Sequence, residues 1–265
     1  MISFVKNGRL TYNNGQIYYE TTGSGEPIVF IHGFTLDNRM WQPQVDFFGK
    51  KYQVVTYDAR GFGRSSIPSG TYNHCDDLRA LLEHLGIEQA HIVGLSMGGR
   101  IAINFALAHP ETVRRLVVMD SALDSYKSTV GWNVYARNVG IERAKENWMN
   151  HEIFAETRKH SRVVAALRPI VKDYSGWHWL HEDTQRPTNS YARTRLSEIT
   201  APTLIIVGEK DLAYFRTIAA TIKAGIKGSV KVMVANGGHM INMEKPEIVN
   251  KLLADFIASP AANSR

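Results

Sequence analysis

The stretch Gly94-Leu95-Ser96-Met97-Gly98 decides how this chain folds, because of the two segments that flank it. An apolar run, Ala90-His91-Ile92-Val93, comes before it, and a helix-like run over 100–108 comes after it. Glycines two positions either side of Ser96 allow strand and helix backbones to approach closely. A Gly-x-Ser-x-Gly pattern in this setting predicts a sharp strand-to-helix turn, a nucleophile elbow, that holds the Ser96 hydroxyl clear of its neighbours.

Length and composition allow one large α/β domain or two small ones. The 265 residues are 44% apolar, which is enough for a sizeable buried core. No apolar run approaches ~18 residues, so we expect no membrane-spanning helix, and the first ten residues lack the apolar segment of a signal peptide. The single cysteine, Cys75, excludes an internal disulfide and a cysteine-rich zinc site. We therefore expect a cytoplasmic protein.

The formal net charge of +6 and the pI near 9.3 raise the question of nucleic-acid binding. The basic residues are scattered, however, and the longest basic runs are the pairs Lys50-Lys51 and Arg114-Arg115. A nucleic-acid footprint would cluster them on one face or along one helix. We expect a small-molecule partner, no nucleic acid and no membrane, in a monomer or a homodimer.

Buried strands are expected where short apolar runs stand between turn residues. These runs alternate with amphipathic helical stretches at 76–85, 97–108 and 246–257. Such alternation predicts a mostly parallel, doubly wound sheet of about eight strands with helices on both faces. The runs lie at 27–31, 53–57, 91–93, 116–119, 203–207 and 230–234.

The first twenty residues indicate an antiparallel start to the sheet. Alternating runs at 3–6 and 9–12 flank Asn7-Gly8, and Asn13-Asn14-Gly15 leads into a further run at 16–20. Asn-Gly pairs between alternating runs are typical of hairpins, so the sequence predicts turns at both places.

The alternation stops between residues 121 and 197. This segment has helical patterning over 134–149 and 153–167 and no convincing strand. We predict two units, an α/β core of residues 1–120 and 198–265 and a helical insertion of residues 121–197. Four of the five tryptophans fall in the insertion: Trp132, Trp148, Trp177 and Trp179.

A serine needs a base to become a nucleophile, and His239 is the best-placed of the ten histidines. It lies in the loop Asn236-Gly237-Gly238-His239-Met240, directly after the predicted strand at 230–234. The carboxyl ends of strands in an open α/β sheet form the face where ligands bind. We therefore predict that His239 is the base for Ser96.

An acid must fix the tautomer of that imidazole and stabilise its charged form. Asp211 follows the predicted strand at 203–207 and is our first choice. The rival is Asp120, which ends the strand at 116–119, whereas Glu209 is expected to point outward. The resulting chain order of serine, acid and histidine is that of one architecture.

Two backbone amides are needed to hold the negative charge that develops on a carbonyl oxygen. The amide of Met97, next after Ser96, supplies one. The loop His32-Gly33-Phe34 follows the strand at 27–31, and Gly33 lets it turn toward the serine. The amide of Phe34 is the expected second donor.

These motifs resemble those of the α/β-hydrolase superfamily over about residues 26–120 and 200–258. The resemblance is carried by His32-Gly33-Phe34, by the loop at 58–65 (Asp-Ala-Arg-Gly-Phe-Gly-Arg-Ser), by Gly94 to Gly99, and by the Asp211/His239 pair. It implies that the insertion is the cap domain of that family. The elbow is most similar to those of the carboxylesterase, enol-lactonase and perhydrolase branch.

The resemblance implies a serine hydrolase that cleaves carboxylic esters or lactones through an acyl-enzyme, with no metal or organic cofactor. The alternatives are a carbon–carbon bond hydrolase of meta-cleavage products and a hydrolase-like small-molecule receptor. The cluster at 177–183 has histidines and acids but no distant partner, so we do not expect a metal there. For the tryptophans of the cap, packing of the cap onto the core is an alternative role. The candidate pocket residues are Gly33, Leu36, Leu123, Trp132, Trp148 and Trp177.

Overall fold

The computed structural model describes residues 5–123, 131–186 and 192–259. Within these residues one sheet has the strand order β1-β2-β4-β3-β5-β6-β7-β8. Strand β2 runs antiparallel to β1 and β4, and the remaining pairs are parallel. The predicted mostly parallel sheet of about eight strands is confirmed. The strands are β1 (Val5–Tyr12), β2 (Gly15–Thr22), β3 (Pro27–Ile31), β4 (Gln53–Tyr57), β5 (Ala90–Leu95), β6 (Val113–Met119), β7 (Thr203–Gly208) and β8 (Val230–Val234).

Helices alternate with the parallel strands, and α1 packs against α11 while α2 packs against α3. Five of the described helices lie between β6 and β7. The helices are α1 (Gln42–Phe48), α2 (His74–His84), α3 (Met97–Ala108), α4 (Trp132–Val139), α5 (Ile141–Trp148), α6 (Ser161–Asp173), α7 (Trp177–Leu180), α8 (Ala192–Arg195), α9 (Ala213–Gly225), α10 (Ile241–Glu244) and α11 (Pro246–Ala258).

The centre of the sheet is buried and its edges are exposed. Every residue of β5 and of β7 is buried, whereas most residues of β1 and β8 are exposed. Parallel strands that are covered on both faces have continuous apolar sequences, and this is why the central strands could be predicted from the sequence. Since β3, β5, β6, β7 and β8 run in one direction, their carboxyl ends share one edge of the sheet.

The predicted hairpin at Asn7-Gly8 is wrong. Strand β1 runs through it, and the turn lies at Asn13 and Asn14, whose φ values of 46° and 58° are left-handed. Gly8 instead pairs with Tyr19 across the ladder, where an added Cβ would lie 2.4 Å from the Tyr19 Oη atom. The glycine therefore makes room for a neighbouring ring and does not form a turn.

The helices between β6 and β7 also differ from the sequence prediction. The expected helix over 134–149 is broken at Gly140, whose φ of 83° and ψ of 155° end α4 and begin α5. The expected helix over 153–167 begins only at Ser161, because 152–154 and 157–159 form separate 3-10 turns. No strand is found in the described part of the segment, and no described helix is long and apolar enough to cross a membrane.

A buried ion pair anchors the loop after β4. The Arg60 guanidinium donates to both carboxylate oxygens of Asp77 on α2, with its Nη2 atom 2.6 Å from Oδ1 and its Nε atom 3.0 Å from Oδ2. Both side chains are only 2% exposed. The same guanidinium donates to the Tyr12 carbonyl at the end of β1. Burial raises the pKa of Asp77 despite its partner.

Removing the charge of Asp77 should destabilise the fold strongly. In Asp77→Asn the buried Arg60 charge loses its counter-charge, and breaking such a pair costs about 3–5 kcal/mol. The free energy of unfolding in urea measures this. Asp255→Asn, which breaks the exposed Lys251–Asp255 pair, is the control and should cost less than about 1 kcal/mol. Equal losses in the two variants would contradict a structural role for the buried pair.

Candidate active site

Ser96 sits on the sharp turn between β5 and α3. Its φ of 56° and ψ of −113° are left-handed values that a residue with a side chain rarely adopts. Two hydrogen bonds join the turn to the end of β6 and to the chain that follows it. The Ser96 amide donates to the Met119 carbonyl at 2.9 Å, and the Ala122 amide donates to the Ser96 carbonyl at 3.1 Å. The surrounding backbone therefore holds the strained serine in place.

The glycines around Ser96 are required by backbone contacts. A Cβ added at Gly94 would lie 2.2 Å from the Gly98 carbonyl oxygen, and one added at Gly98 would lie 2.1 Å from the Ile31 carbonyl oxygen. Backbone atoms cannot move aside as a flexible side chain can. The predicted close approach of strand and helix is therefore seen directly.

His239 and Asp211 form a buried hydrogen-bonded pair. The His239 Nδ1 atom lies 3.0 Å from the Asp211 Oδ2 atom, and the two side chains are 4% and 0% exposed. The Leu212 amide donates to the other oxygen, Oδ1, at 2.7 Å. The Phe215 ring packs against the imidazole at a centroid distance of 4.3 Å. A carboxylate at Nδ1 places the hydrogen there and leaves Nε2 free to accept one.

The two rival acids make no hydrogen bond to His239. Glu209 is 43% exposed and accepts a hydrogen bond from the Asn236 amide, as the expected outward orientation requires. Asp120 is fully buried at the end of β6 with a φ of 41°, and it accepts a hydrogen bond from the Gly208 amide at 2.8 Å. Burial and the charge of Asp211 raise the pKa of Asp120 well above its ordinary value. Asp211, and not Asp120, is hydrogen-bonded to His239.

Glu244 is a buried acid that the sequence analysis missed. Its Oε2 atom accepts a hydrogen bond from the Gly238 amide at 2.5 Å, and its Oε1 atom accepts one from the Thr157 hydroxyl at 2.6 Å. It therefore joins the loop that carries His239 to the segment between β6 and β7. A glutamate in a short helix gives no sequence signal for this role.

The loop after β3 is held by a buried neutral histidine. The His32 Nδ1 atom donates to the Gly33 carbonyl at 2.8 Å, and its Nε2 atom accepts from the Ala59 amide at 2.9 Å. Burial lowers the pKa of His32, which favours this neutral form. The amides of Phe34 and Met97 have no hydrogen-bond acceptor among the described residues, so both can serve a bound oxyanion.

Asp58 also stabilises the chain that follows β3. One of its carboxylate oxygens accepts a hydrogen bond from the Asn38 amide at 2.8 Å, and the other accepts one from the Arg64 amide at 2.7 Å. Burial raises the pKa of Asp58 to about 7. The loop at 58–65 is thus linked to the chain that follows Phe34.

A cavity of about 550 Å³ opens above Ser96. Ser96, His239, Phe34 and Met97 all line it, together with the candidate pocket residues Gly33, Leu36, Trp132 and Trp148. The wall is mostly apolar, as ligand pockets usually are. Lining residues that the sequence analysis did not single out for the pocket include Arg100, Ile153, Phe154, His178, Trp179, Phe215 and Met240.

Two candidate pocket residues lie outside the described wall of this cavity. Leu123 is buried but does not line the cavity, whereas its neighbour Ala122 does. Trp177 stacks on His181 at a centroid distance of 5.6 Å and also lies outside the wall. Residues two apart on a helix point in nearly opposite directions, so Trp179 faces the cavity in its place.

Besides His239, two described lining side chains of the cavity are basic, and one of them carries a permanent charge. His178 stacks on Phe62 at 4.3 Å, and burial lowers its pKa to about 4, so it is neutral at physiological pH. Arg100 lies on α3, one helical turn after Ser96. Arginine stays protonated in proteins, although burial lowers its pKa here.

Potential metal ligands come together in one group among the described residues. One side-chain atom from each of Asp120, Asp211 and His239 lies within 4.8 Å of the others. In the stretch at 177–183, His178 instead faces the Tyr174 hydroxyl and His181 faces the Trp177 carbonyl.

Comparison with known proteins decides the family. The sequence model of the alpha/beta hydrolase family matches residues 28–252. This chain belongs to the alpha/beta hydrolase family. The resemblance carried by the motifs is therefore confirmed.

Similar hydrolases act on several substrates. The chain is 30% identical over 254 residues to the AB hydrolase superfamily protein YisY of Bacillus subtilis, with 91% of this chain and 94% of YisY covered. It is 29% identical over 245 residues to 3-oxoadipate enol-lactonase 1 of Acinetobacter baylyi, with 88% of each covered. Among solved structures, it matches Est816, an N-acyl homoserine lactone degrading enzyme, with a TM-score of 0.78 and 27% identity over 94% of this chain and all of Est816.

In this hydrolase one tryptophan connects the segment between β6 and β7 to the loop after β3. The Trp148 Nε1 atom donates to the Thr35 hydroxyl at 2.8 Å, and that hydroxyl donates to the Phe34 carbonyl at 2.6 Å. Thr35 has a φ of 63°, which is strained for a β-branched residue. The indole therefore helps to hold the loop that carries the Phe34 amide.

Trp148→Phe should lower kcat for p-nitrophenyl acetate about 5-fold. It removes the donor to Thr35 but keeps an aromatic ring, and one such hydrogen bond contributes about 1 kcal/mol. Trp177→Phe is the matched control outside the cavity and should leave kcat and KM close to those of the parent. If both variants behave alike in steady-state kinetics, the indole does not support the loop.

Proposed function

We propose that this protein is a serine hydrolase of carboxylic esters or lactones. Ser96 is the nucleophile, His239 the general base and Asp211 the acid that orients it. The observation that carries the proposal is that a strained serine and a buried, hydrogen-bonded histidine–aspartate pair open onto one apolar cavity.

The mechanism follows from these contacts. Ser96 Oγ attacks the carbonyl carbon while His239 Nε2 takes its proton, and the Asp211 carboxylate stabilises the imidazolium through Nδ1. The amides of Phe34 and Met97 bind the oxyanion. His239 then protonates the leaving oxygen, and a water activated by the same imidazole hydrolyses the acyl-enzyme. No step requires a metal or an organic cofactor.

The segment of residues 121–197 acts in this proposal as a cap that shapes the substrate site. Its described residues supply Trp132, Trp148 and Trp179 to the cavity wall. The enol-lactonase and the lactone-degrading enzyme similar to this chain support a small ester or lactone as the substrate. The remaining proposals are a cytoplasmic location and a monomer or homodimer.

Replacing the nucleophile tests the proposal. Ser96→Ala should lower kcat for p-nitrophenyl butyrate by about 10⁴-fold or more, as losses of a serine nucleophile do. It should also abolish labelling by a fluorophosphonate, read as a mass increase of the intact protein. Ser121→Ala removes a nearby buried hydroxyl that donates to the Ala122 carbonyl, and it should stay within about 3-fold of the parent.

The outcomes separate the alternatives. Binding of small molecules without turnover dependent on Ser96 would favour a receptor. Turnover of a meta-cleavage product at a higher kcat/KM than any ester or lactone in a substrate panel would favour the carbon–carbon bond hydrolase.

We also propose that Arg100 favours substrates that carry a carboxylate. Among the described lining residues it is the one with a permanent charge, in a wall that is otherwise mostly apolar. Burial lowers the pKa of the guanidinium and the charge of Asp183 raises it, and a substrate carboxylate would add to the second effect. Arginine also matches carboxylate geometry with two parallel donors.

Two esters of similar length test this preference, p-nitrophenyl hydrogen glutarate and p-nitrophenyl valerate. Arg100→Met should lower the ratio of kcat/KM for the acidic ester to kcat/KM for the neutral ester by about 10- to 100-fold. This is the effect expected from losing one hydrogen bond between charged groups. Arg168→Met removes an exposed charge from α6 and should leave the ratio unchanged. An unchanged ratio in Arg100→Met would show that this guanidinium does not select the substrate.

A further inference from the structure

A second buried carboxyl lies close to the His239–Asp211 pair. Asp120 is fully buried, and one of its side-chain oxygens lies within 4.8 Å of a side-chain atom of both Asp211 and His239. The proposed mechanism does not use it. Its Oδ1 atom accepts the Gly208 hydrogen bond, and its Oδ2 atom has no hydrogen-bond partner among the described residues.

The hydrogen-bond donors around the two carboxyls are unequal. Asp211 has two, the Leu212 amide at Oδ1 and the His239 ring at Oδ2. Among the described residues, Asp120 has one, the Gly208 amide. Two carboxylates this close cannot both stay ionised without solvent, so the one with fewer donors keeps its proton. A proton on the unpartnered Oδ2 atom would also give that atom the hydrogen bond it lacks.

We propose that Asp120 is a neutral carboxylic acid that donates a hydrogen bond from Oδ2 to the Asp211 carboxylate, and that it positions this carboxylate for His239. The proposal rests on the proposed function only for its effect on catalysis. With Leu212 and His239, Asp120 would give Asp211 a third donor. A carboxylate held by three donors stays ionised and keeps one orientation toward the imidazole.

The groups that face Asp120 favour this protonation state. Asp211 comes from the loop after β7, His239 from the loop after β8, and Glu244 from α10. Burial raises the pKa of Asp120, the charges of Asp211 and Glu244 raise it further, and the Gly208 amide opposes them. These surroundings therefore favour the protonated acid.

Infrared spectroscopy tests the proton without using activity. The spectra of the parent and of Asp120→Asn are compared at a pH above about 7, the pKa of Asp58, so that Asp58 is ionised in both. The parent should then show the C=O stretch of one additional protonated carboxylic acid. Asparagine keeps both an acceptor for Gly208 and a donor for Asp211, so the variant should fold. Absence of that band would overturn the proposal, because Asp120 would then be ionised.

Kinetics test the positioning role. Asp120→Leu removes the donor and should lower kcat about 10- to 100-fold with little change in KM, the size of one hydrogen bond to a charged group. Asp120→Asn, which retains a donor, should rescue most of that loss. If Asp120→Asn is as impaired as Asp120→Leu, the donor role is wrong. Turnover that does not depend on Ser96 would instead refute the proposed function, while the infrared band would remain.

Discussion

The contact between Gly98 and the Ile31 carbonyl is the constraint on which the site depends. Even a single added carbon atom at Gly98 would lie 2.1 Å from that oxygen. The contact places the start of α3 directly beside the end of β3, and so brings the Met97 amide and the loop of Phe34 to the same cavity. The left-handed backbone at Ser96 follows from the same geometry, and hydrogen bonds to Met119 and Ala122 hold it. Backbone strain of this kind persists only where contacts with the surrounding structure hold the residue in the strained conformation.

The sequence predicted the parts of this molecule that local chemistry determines. The buried strands are continuous apolar runs, and strands β3, β4 and β8 have the predicted bounds. Ser96, Asp211 and His239 could be chosen because parallel strands bring their carboxyl ends together, so residues far apart in the chain meet at one edge. The hydrogen bond between His239 and Asp211 fits that reasoning.

The errors arose where a residue's role depends on a partner that is distant in the chain. Gly8 looked like a turn residue, but a glycine is needed there because the Tyr19 ring on the next strand leaves no room for a Cβ atom. Trp177 and Trp179 are indistinguishable in sequence, and only the way α7 packs decides which of them faces the cavity. Glu244 gave no signal, and Asp120 was considered only as a rival to Asp211, because the contacts of both acids exist only once distant chain segments have met.

Two of the buried hydrogen bonds between described residues join loops at the carboxyl edge of the sheet to the segment between β6 and β7. Trp148 reaches Thr35 beside the Phe34 amide, and Thr157 reaches Glu244 beside the loop of His239. Both bonds are buried, so breaking either would leave a polar atom without a partner. The segment between β6 and β7 therefore does more than line the cavity. Its packing is coupled to the loops that carry the proposed oxyanion donor and the proposed base, so a change of side chains in the cavity wall would also act on those two groups.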